Sequence, residues 1–599
     1  MQKSISRLLA VLPAILLCSA IYAAEDSGIN IRHLSNEQNI IDLQPAGRYL
    51  LLPVEDEAVE GKVYLVQDNV TISHGLNIRL ARKKVDYYVP VDLSAFQGRK
   101  LQMEIQAVPA SSVCWDHISF ADEFEMQTSP EPVYHHIPPY GWMNDPNGMF
   151  YQDGVYHLYY QYNPYGCTWG NLHWGHSTSA DLVHWKHEGA PLAPDAWGYI
   201  FSGSCVVDRH NTSGFGENAV AAFYTSSKPT RWTDCQAQSI AFSTDGGYTF
   251  DKYESNPVLI SDLKDFRDPK VFWYAPGKHW VMVLAAGQEM HIYSSSNLKD
   301  WKFESAFGEG QGAHGGVWEC PDLVELEVEG TGEKKWVLIC NINPGGPFGG
   351  SATQYFVGSF NGKRFVNESP EETKWMDWGK DNYATVTWSN APDGRCIAIG
   401  WMSNWQYQNQ LPVFGYRGAN TIARELSLYE QDGEVYLKSE PVKEMDAARS
   451  LVTEKKPFPV SGMDCKKDYC LPEDGVFEIE LTFRNHGAEK LGIVFCNHDG
   501  ESVKMYCDVA KGKFAMDRTE SGNVDFSVDF PVVTCAPVPE SDELSLRIFF
   551  DRTSVEIFGN GGEFAMTNLV FPSSPYTGIG FYADRGAFDV TSFKVYRID

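Results

Sequence analysis

The chain is 599 residues long, 43% hydrophobic and 13% aromatic, with 52 Gly and 32 Pro. That length exceeds what one hydrophobic core organises, and that composition excludes disorder, so several ordered domains rich in short strands and turns are expected. The 49 Lys and Arg stand against 78 Asp and Glu, a formal charge of -29, which repels phosphate backbones and anionic membrane surfaces and argues against a nucleic-acid partner.

Residues 1–23 read as an export signal: Lys3 and Arg7, an apolar stretch from Leu8 to Leu17, then small residues at Ser19, Ala20 and Ala23. The stretch is too short to span a bilayer, and no other run approaches the roughly 18 apolar residues that a membrane helix requires. A periplasmic or secreted protein is expected. Cys18, after Leu16 and Leu17, loosely resembles a lipoprotein cleavage site, but Leu17 stands where a small residue belongs, so lipid anchoring is the lesser reading. Twelve further cysteines are spread singly from Cys114 to Cys535, with no Cys-x-x-Cys pair and no His at zinc spacing. No metal and no cofactor are indicated. Cys465 and Cys470 are close enough in sequence to bridge, although buried free thiols are the commoner fate of scattered cysteines.

Residues 24–130 alternate in stretches such as Val63 to Val66 and Val85 to Val91, which predicts an accessory β domain. Residues 131–440 form a tryptophan-rich centre: sixteen of the seventeen Trp fall between Trp142 and Trp405. A faint repeat runs through it. The phrase Ser-x-(Asp/Asn)-Leu-x-x-Trp occurs at 179–185 and again at 295–301. An acidic residue near a Pro, followed by strand, Gly-containing turn and strand, occurs from residues 144, 267 and 319. Asp145 and Asp268 lie 123 positions apart, and Asp268 and Glu319 lie 51 apart, close to two blades and one blade of a propeller of four-stranded sheets. Five blades fit the zone, and radial symmetry would bring distant carboxylates to one mouth.

In WMNDPNG at 142–148, Pro146 confines Asp145 to extended backbone, and Asn147 with Gly148 predicts a tight turn that holds the carboxylate at a strand lip. An ordinary solvated turn explains most of that phrase by itself. In WECPD at 318–322 the neighbouring Trp318 suggests an apolar wall beside Glu319, which suits a general acid; alone, such a Glu is more often a wet strand edge. Asp268 beside Arg267 could be a surface ion pair of little consequence. The joint occurrence of all three at blade spacing is what favours chemistry. Residues 441–599 contain strand-like runs, among them Phe477 to Phe483, Leu544 to Phe550 and Ser554 to Phe558, between Gly, Asn and Asp turns, and predict a second all-β unit.

WMNDPNG, FRDP at 266–269 and WECPD, in this order, resemble the three signature blocks of glycoside hydrolase family 32, the invertases, inulinases and levanases. QYNP at 161–164, WGNLHWGHS at 169–177, FSGS at 201–204, DWGKDNYA at 377–384, GWMSNW at 400–405 and DRTSVEIFGNGGE at 551–563 extend the likeness. The resemblance covers about residues 135–599 and implies an all-β fold: a five-bladed β-propeller followed by a β-sandwich, with the N-terminal β domain as an addition. It implies that Asp145 is the nucleophile, Glu319 the general acid/base and Asp268 the stabiliser of the transition state, in a retaining β-fructosidase acting as a monomer on fructans and sucrose. It places Asn144, Gln161, Ser202 and Arg267 as polar contacts to the terminal fructose, with Trp142, Trp169, Phe201 and Trp401 as aromatic lining. A catalytically silent fructan-binding protein and a fructosyltransferase would keep the same pocket. Linkage preference and endo against exo action stay open.

Overall fold

A computed structural model describes residues 28–598, apart from 74, 230–233, 465–468, 540 and 542. The export signal and Cys18 lie outside the described residues, as does Cys465 of the suggested bridge. The eleven described cysteines are free of disulfide bonds.

The centre is built from five successive antiparallel sheets, whose first strands are Gly141–Gln152, Tyr199–Asp208, Phe266–Tyr274, Val317–Glu327 and Tyr383–Thr387. Each first strand packs beside the next, and the fifth packs back against the first, so the sheets stand in a closed ring around a shared axis. Tyr416–Arg417 adds a short parallel pairing to the first strand at Gly141 and Trp142.

The second strand of the third sheet shows why the sequence runs apolar without a break. Val281, Met282, Val283, Leu284 and Ala285 are all fully buried. Side chains alternate across a strand, so Val281, Val283 and Ala285 pack toward Trp318 and Leu323 of the next sheet. Met282 and Leu284 pack toward Val206 and Phe223 of the preceding one. Each such side chain contributes about 1.5–3 kcal/mol on burial, and two covered faces leave no polar alternation.

The repeated Ser-x-Asx-Leu phrase joins third to fourth strands. Asp181 Oδ1 accepts from the N–H groups of Val183 and His184, and Asn297 Oδ1 accepts from those of Lys299 and Asp300. Leu182 and Leu298 follow with positive φ of 64° and 65°. In the second sheet Asp245 holds a turn one residue longer at the corresponding place, accepting from Tyr248 and Thr249.

After residue 448, a seven-stranded and a six-stranded sheet enclose one core that includes Phe477, Ile493, Phe550 and Phe581. This sandwich meets the ring through buried charge. His135 lies 2.8 Å from both Asp551 and Glu556, and Arg424 pairs with Asp377 at 2.8 Å and Glu556 at 2.6 Å. At the other end of the chain, a six-stranded and a three-stranded sheet surround a core that includes Leu52, Val63, Val89 and Met103, and Cys167 from the ring is packed into it.

Candidate active site

All five first strands bulge at the same level. Pairing with the second strand shifts between Met143 and Pro146, Ile200 and Gly203, Arg267 and Lys270, Glu319 and Asp322, and Tyr383 and Val386. A bulge leaves a residue unpaired and re-aims its side chain. The bulged positions include Asp145, Ser202, Asp268, Cys320 and Ala384, of which Asp268, Cys320 and Ala384 have positive φ of 65°, 42° and 52°. Such backbone is costly for non-glycine residues and clusters at functional sites.

The turn expected at Asn147 and Gly148 is absent: both lie within the continuous strand Gly141–Gln152. Gly148 takes φ 53° at a second pairing shift, between Asn147 and Phe150. A Cβ there would meet Trp174 at 2.7 Å and Cys205 Sγ at 2.9 Å, so the glycine permits close packing rather than chain reversal.

Asp145 Oδ1 accepts from Asn144 Nδ2 at 2.9 Å, and Oδ2 accepts from Ser202 Oγ at 2.6 Å. The Cys320 thiol also points at Asp145 Oδ2, at 3.3 Å. Asp268 Oδ2 accepts from the Cys320 backbone N–H at 2.9 Å and lies 4.0 Å from Arg267 Nε. Burial pushes the Asp268 carboxyl up to about 7; Arg267 opposes the rise, while the charges of Glu319 and Asp145 add to it. Glu319 Oε1 accepts from Arg267 Nη2 at 3.0 Å and Oε2 from the Tyr383 hydroxyl. Three carboxylates from three sheets therefore converge around Cys320.

The apolar wall expected beside Glu319 is not there. Trp318 is fully buried, packs among Phe307, His314 and Phe356, and donates its indole N–H to Ala313 O at 2.8 Å. Alternation along the strand sends it away from Glu319, whose neighbours are a guanidinium and a phenol.

The other expected residues divide by exposure. Asn144 and Ser202 touch Asp145 directly. Gln161 is buried, donates to Ile200 O at 3.0 Å, and leaves Oε1 without a hydrogen-bond partner. Arg267 also reaches Asp265 at 2.8 Å and Gln236 at 3.3 Å. Trp169 is 40% exposed, with its ring centroid 6.1 Å from that of Phe201. Trp142 and Trp401 have no exposed surface, so they stand behind the pocket wall rather than on it. Trp405, which the sequence reading passed over, is partly exposed. It stacks on Trp142 at 6.0 Å and lies 4.8 Å from Trp401. Tyr383 and Cys320 were passed over as well. Tyr383 lies in the quoted phrase DWGKDNYA, and Cys320 occupies the pre-proline place that Asp holds in the other two motifs.

Beneath the carboxylates the ring is closed by Lys270, paired with Asp322 at 2.8 Å and donating to Thr387 O at 2.9 Å. A hollow of about 580 Å³ lies further along the same first strands, at Val206, Phe272, Leu323 and Ser389; it holds none of the expected site residues.

Residues 135–441 match the model of the glycosyl hydrolases family 32 N-terminal domain, and residues 444–597 that of the family 32 C-terminal domain. Residues 35–134 match a domain of unknown function. The chain is 44% identical over 491 residues to a levanase of Bacillus subtilis, covering 80% of this chain and 72% of that one. It is 38% identical over 517 residues to an extracellular exo-inulinase of Aspergillus niger, covering 78% and 94%. Among solved structures, an exo-inulinase of Aspergillus awamori superposes with a TM-score of 0.73 at 35% identity, covering 78% of this chain and 98% of that one. A fructofuranosidase of Schwanniomyces occidentalis complexed with fructose gives 0.71 at 35%, with the same coverage.

Proposed function

The chain belongs to glycoside hydrolase family 32, and from that premise we propose that it is an exported, retaining β-fructosidase that removes terminal fructose from fructans and from sucrose. The observation that carries the proposal is Cys320. One residue offers its backbone N–H to Asp268 and its thiol to Asp145, while the preceding residue in the chain is Glu319. Three acidic side chains are thereby gathered at one point of the ring.

Asp145 is the nucleophile. Asn144 and Ser202 fix its two oxygens, so the carboxylate meets the anomeric carbon of fructose in one orientation. Glu319 delivers a proton to the departing oxygen, then takes one from the water that releases fructose from Asp145. Arg267 and Tyr383 aim its two oxygens. Asp268 holds sugar hydroxyls and strengthens those bonds as positive charge develops on the ring. Retention follows from two successive displacements at the same carbon.

The levanase and exo-inulinase relatives support fructans as substrates, and the extracellular exo-inulinase of Aspergillus niger agrees with the export signal expected in residues 1–23. The test is chromatography of early products from levan, inulin and sucrose. Fructose as the sole early product from the polymers supports the reading, oligosaccharides indicate endo action, and no release from any of the three contradicts it. Fructose transfer to sugar at high sucrose would identify a transferase.

A further inference from the structure

The segment 163–172 carries Trp169, the exposed aromatic residue beside Phe201, and the next residue after Phe201, Ser202, binds Asp145. Gly170, with φ 148° and open space where a Cβ would stand, gives this segment no conformational restraint beside Trp169. The central ring holds the segment at two points, Arg417 Nη1 donating to Cys167 O at 3.1 Å and the Ile200 N–H to Leu172 O at 2.9 Å, and the N-terminal β unit adds further restraints. The Asn77 backbone N–H donates to Asn171 Oδ1 at 2.7 Å, and Asn171 Nδ2 returns a bond to Asn77 O at 2.7 Å. Asn171 Nδ2 also reaches Asn163 Oδ1 at 3.1 Å, and Asn163 Nδ2 donates to Thr168 O at 2.8 Å. A relay of amide hydrogen bonds thus runs from Asn77 to the residue before Trp169. The Asn77 side chain donates to Tyr199 OH at 2.6 Å, and the Tyr199 ring packs edge-on to Trp169 at 6.4 Å. A third tie is the Cys167 backbone N–H, which donates to Tyr87 OH at 3.3 Å where Cys167 sits in the N-terminal core.

We propose that the N-terminal β unit completes the wall of the sugar-binding pocket, with Asn77, Asn171 and Tyr87 acting as positioning residues that hold Trp169 against the bound sugar. Asn171 is almost fully buried and left-handed, at φ 45°, so its amide is committed to this relay and not to solvent. The unit is on this view part of the enzyme's recognition surface and not a tethered spacer. The inference rests on the fructosidase reading of the pocket.

The experiment compares wild type, Asn171→Ala and Tyr87→Phe on fructan oligosaccharides, with hydrogen–deuterium exchange of the peptide spanning 163–172. Loss of the reciprocal Asn77–Asn171 pair is expected to raise KM about five-fold or more, from the usual worth of buried neutral hydrogen bonds. kcat should stay within about two-fold, since the carboxylates are untouched, and exchange in the peptide should quicken. Tyr87→Phe, which keeps the ring, should move KM and exchange in the same direction by less, and serves alone if Asn171→Ala does not fold. An active wild type with KM and exchange unmoved in the variants overturns the inference while leaving the fructosidase reading intact, as does a loss confined to kcat. A wild type that hydrolyses no fructan removes the reading of the pocket, and the sugar-binding role of Trp169 with it.

Discussion

The backbone N–H of Cys320 lies 2.9 Å from Oδ2 of Asp268, a bond made possible by the bulge that gives Cys320 a positive φ of 42°. The thiol of the same residue turns to Asp145 Oδ2, and burial pushes it well above the ordinary thiol range, so it is a neutral donor and not a nucleophile. Cys320→Ala keeps the backbone bond and removes the thiol contact. It should lower kcat/KM about ten-fold, the size expected for one hydrogen bond to a charged group, and Cys320→Ser, which keeps a donor, should recover part of that. Equal activity in all three forms would show that the thiol does not help to place Asp145.

Asp268 carries a stability cost that comes from its burial. Its native value of about 7 lies above the ordinary 3.8, so between those two pH values the folded protein holds a proton that the unfolded chain has released. Stability from this group therefore falls as pH rises from 3.8 through about 7. Asp268→Asn cannot ionise and can still accept from Cys320, so at pH 8 it should be more stable than wild type by about 4 kcal/mol while losing nearly all activity. Melting curves at pH 5 and pH 8 check this, and a variant less stable than wild type at pH 8 would refute it.

His135 has the same sign for a different reason. Burial pulls its imidazole down, but hydrogen bonds and charge from Asp551 and Glu556 outweigh that and raise it from 6.5 to about 9. The folded state keeps the proton that the unfolded chain loses above 6.5. The stabilisation is fully present below pH 6.5 and lost as pH rises through about 9, on the order of 3 kcal/mol in all. His135→Gln should flatten the fall in melting temperature between pH 6.5 and 9. A fall as steep as that of wild type would mean that His135 does not govern it.

Trp405 and Trp401 should separate binding from stability. Trp401, without exposed surface, should cost about 3–5 kcal/mol as Trp401→Ala. Trp405→Ala, at a partly exposed ring, should raise KM about five-fold with a smaller change in melting temperature. Thermal melts and steady-state kinetics on the two variants decide it, and the opposite pattern would reverse their assignments.

Much of the fold was legible because two signals are local. Period-two apolar runs gave the strands of both outer units, and the spacing of Asp145, Asp268 and Glu319 carried the repeat of the central sheets. The site was legible through its motifs, but only in part. Asn147 and Gly148 read as a turn because their local chemistry is that of a turn, whereas packing against Trp174 and Cys205 decides their conformation. Trp318 read as the neighbour of Glu319 because it is adjacent in sequence, yet the pleat sends the two side chains to opposite faces. The choice of Trp401 over Trp405 turned on exposure, which a phrase such as GWMSNW does not encode. The ties from Asn77 and Tyr87 join residues about 80 to 120 positions apart and left no local trace.

Turnover of levan by Asp145→Asn and by Glu319→Gln, each checked for an unchanged fold by its melting curve, bears on the whole mechanism at once. Each change should cost about a thousand-fold or more in kcat, because one removes the proposed attacking carboxylate and the other the proposed proton donor. Folded variants that hydrolyse levan at the wild-type rate would contradict the proposal that these two side chains carry the reaction.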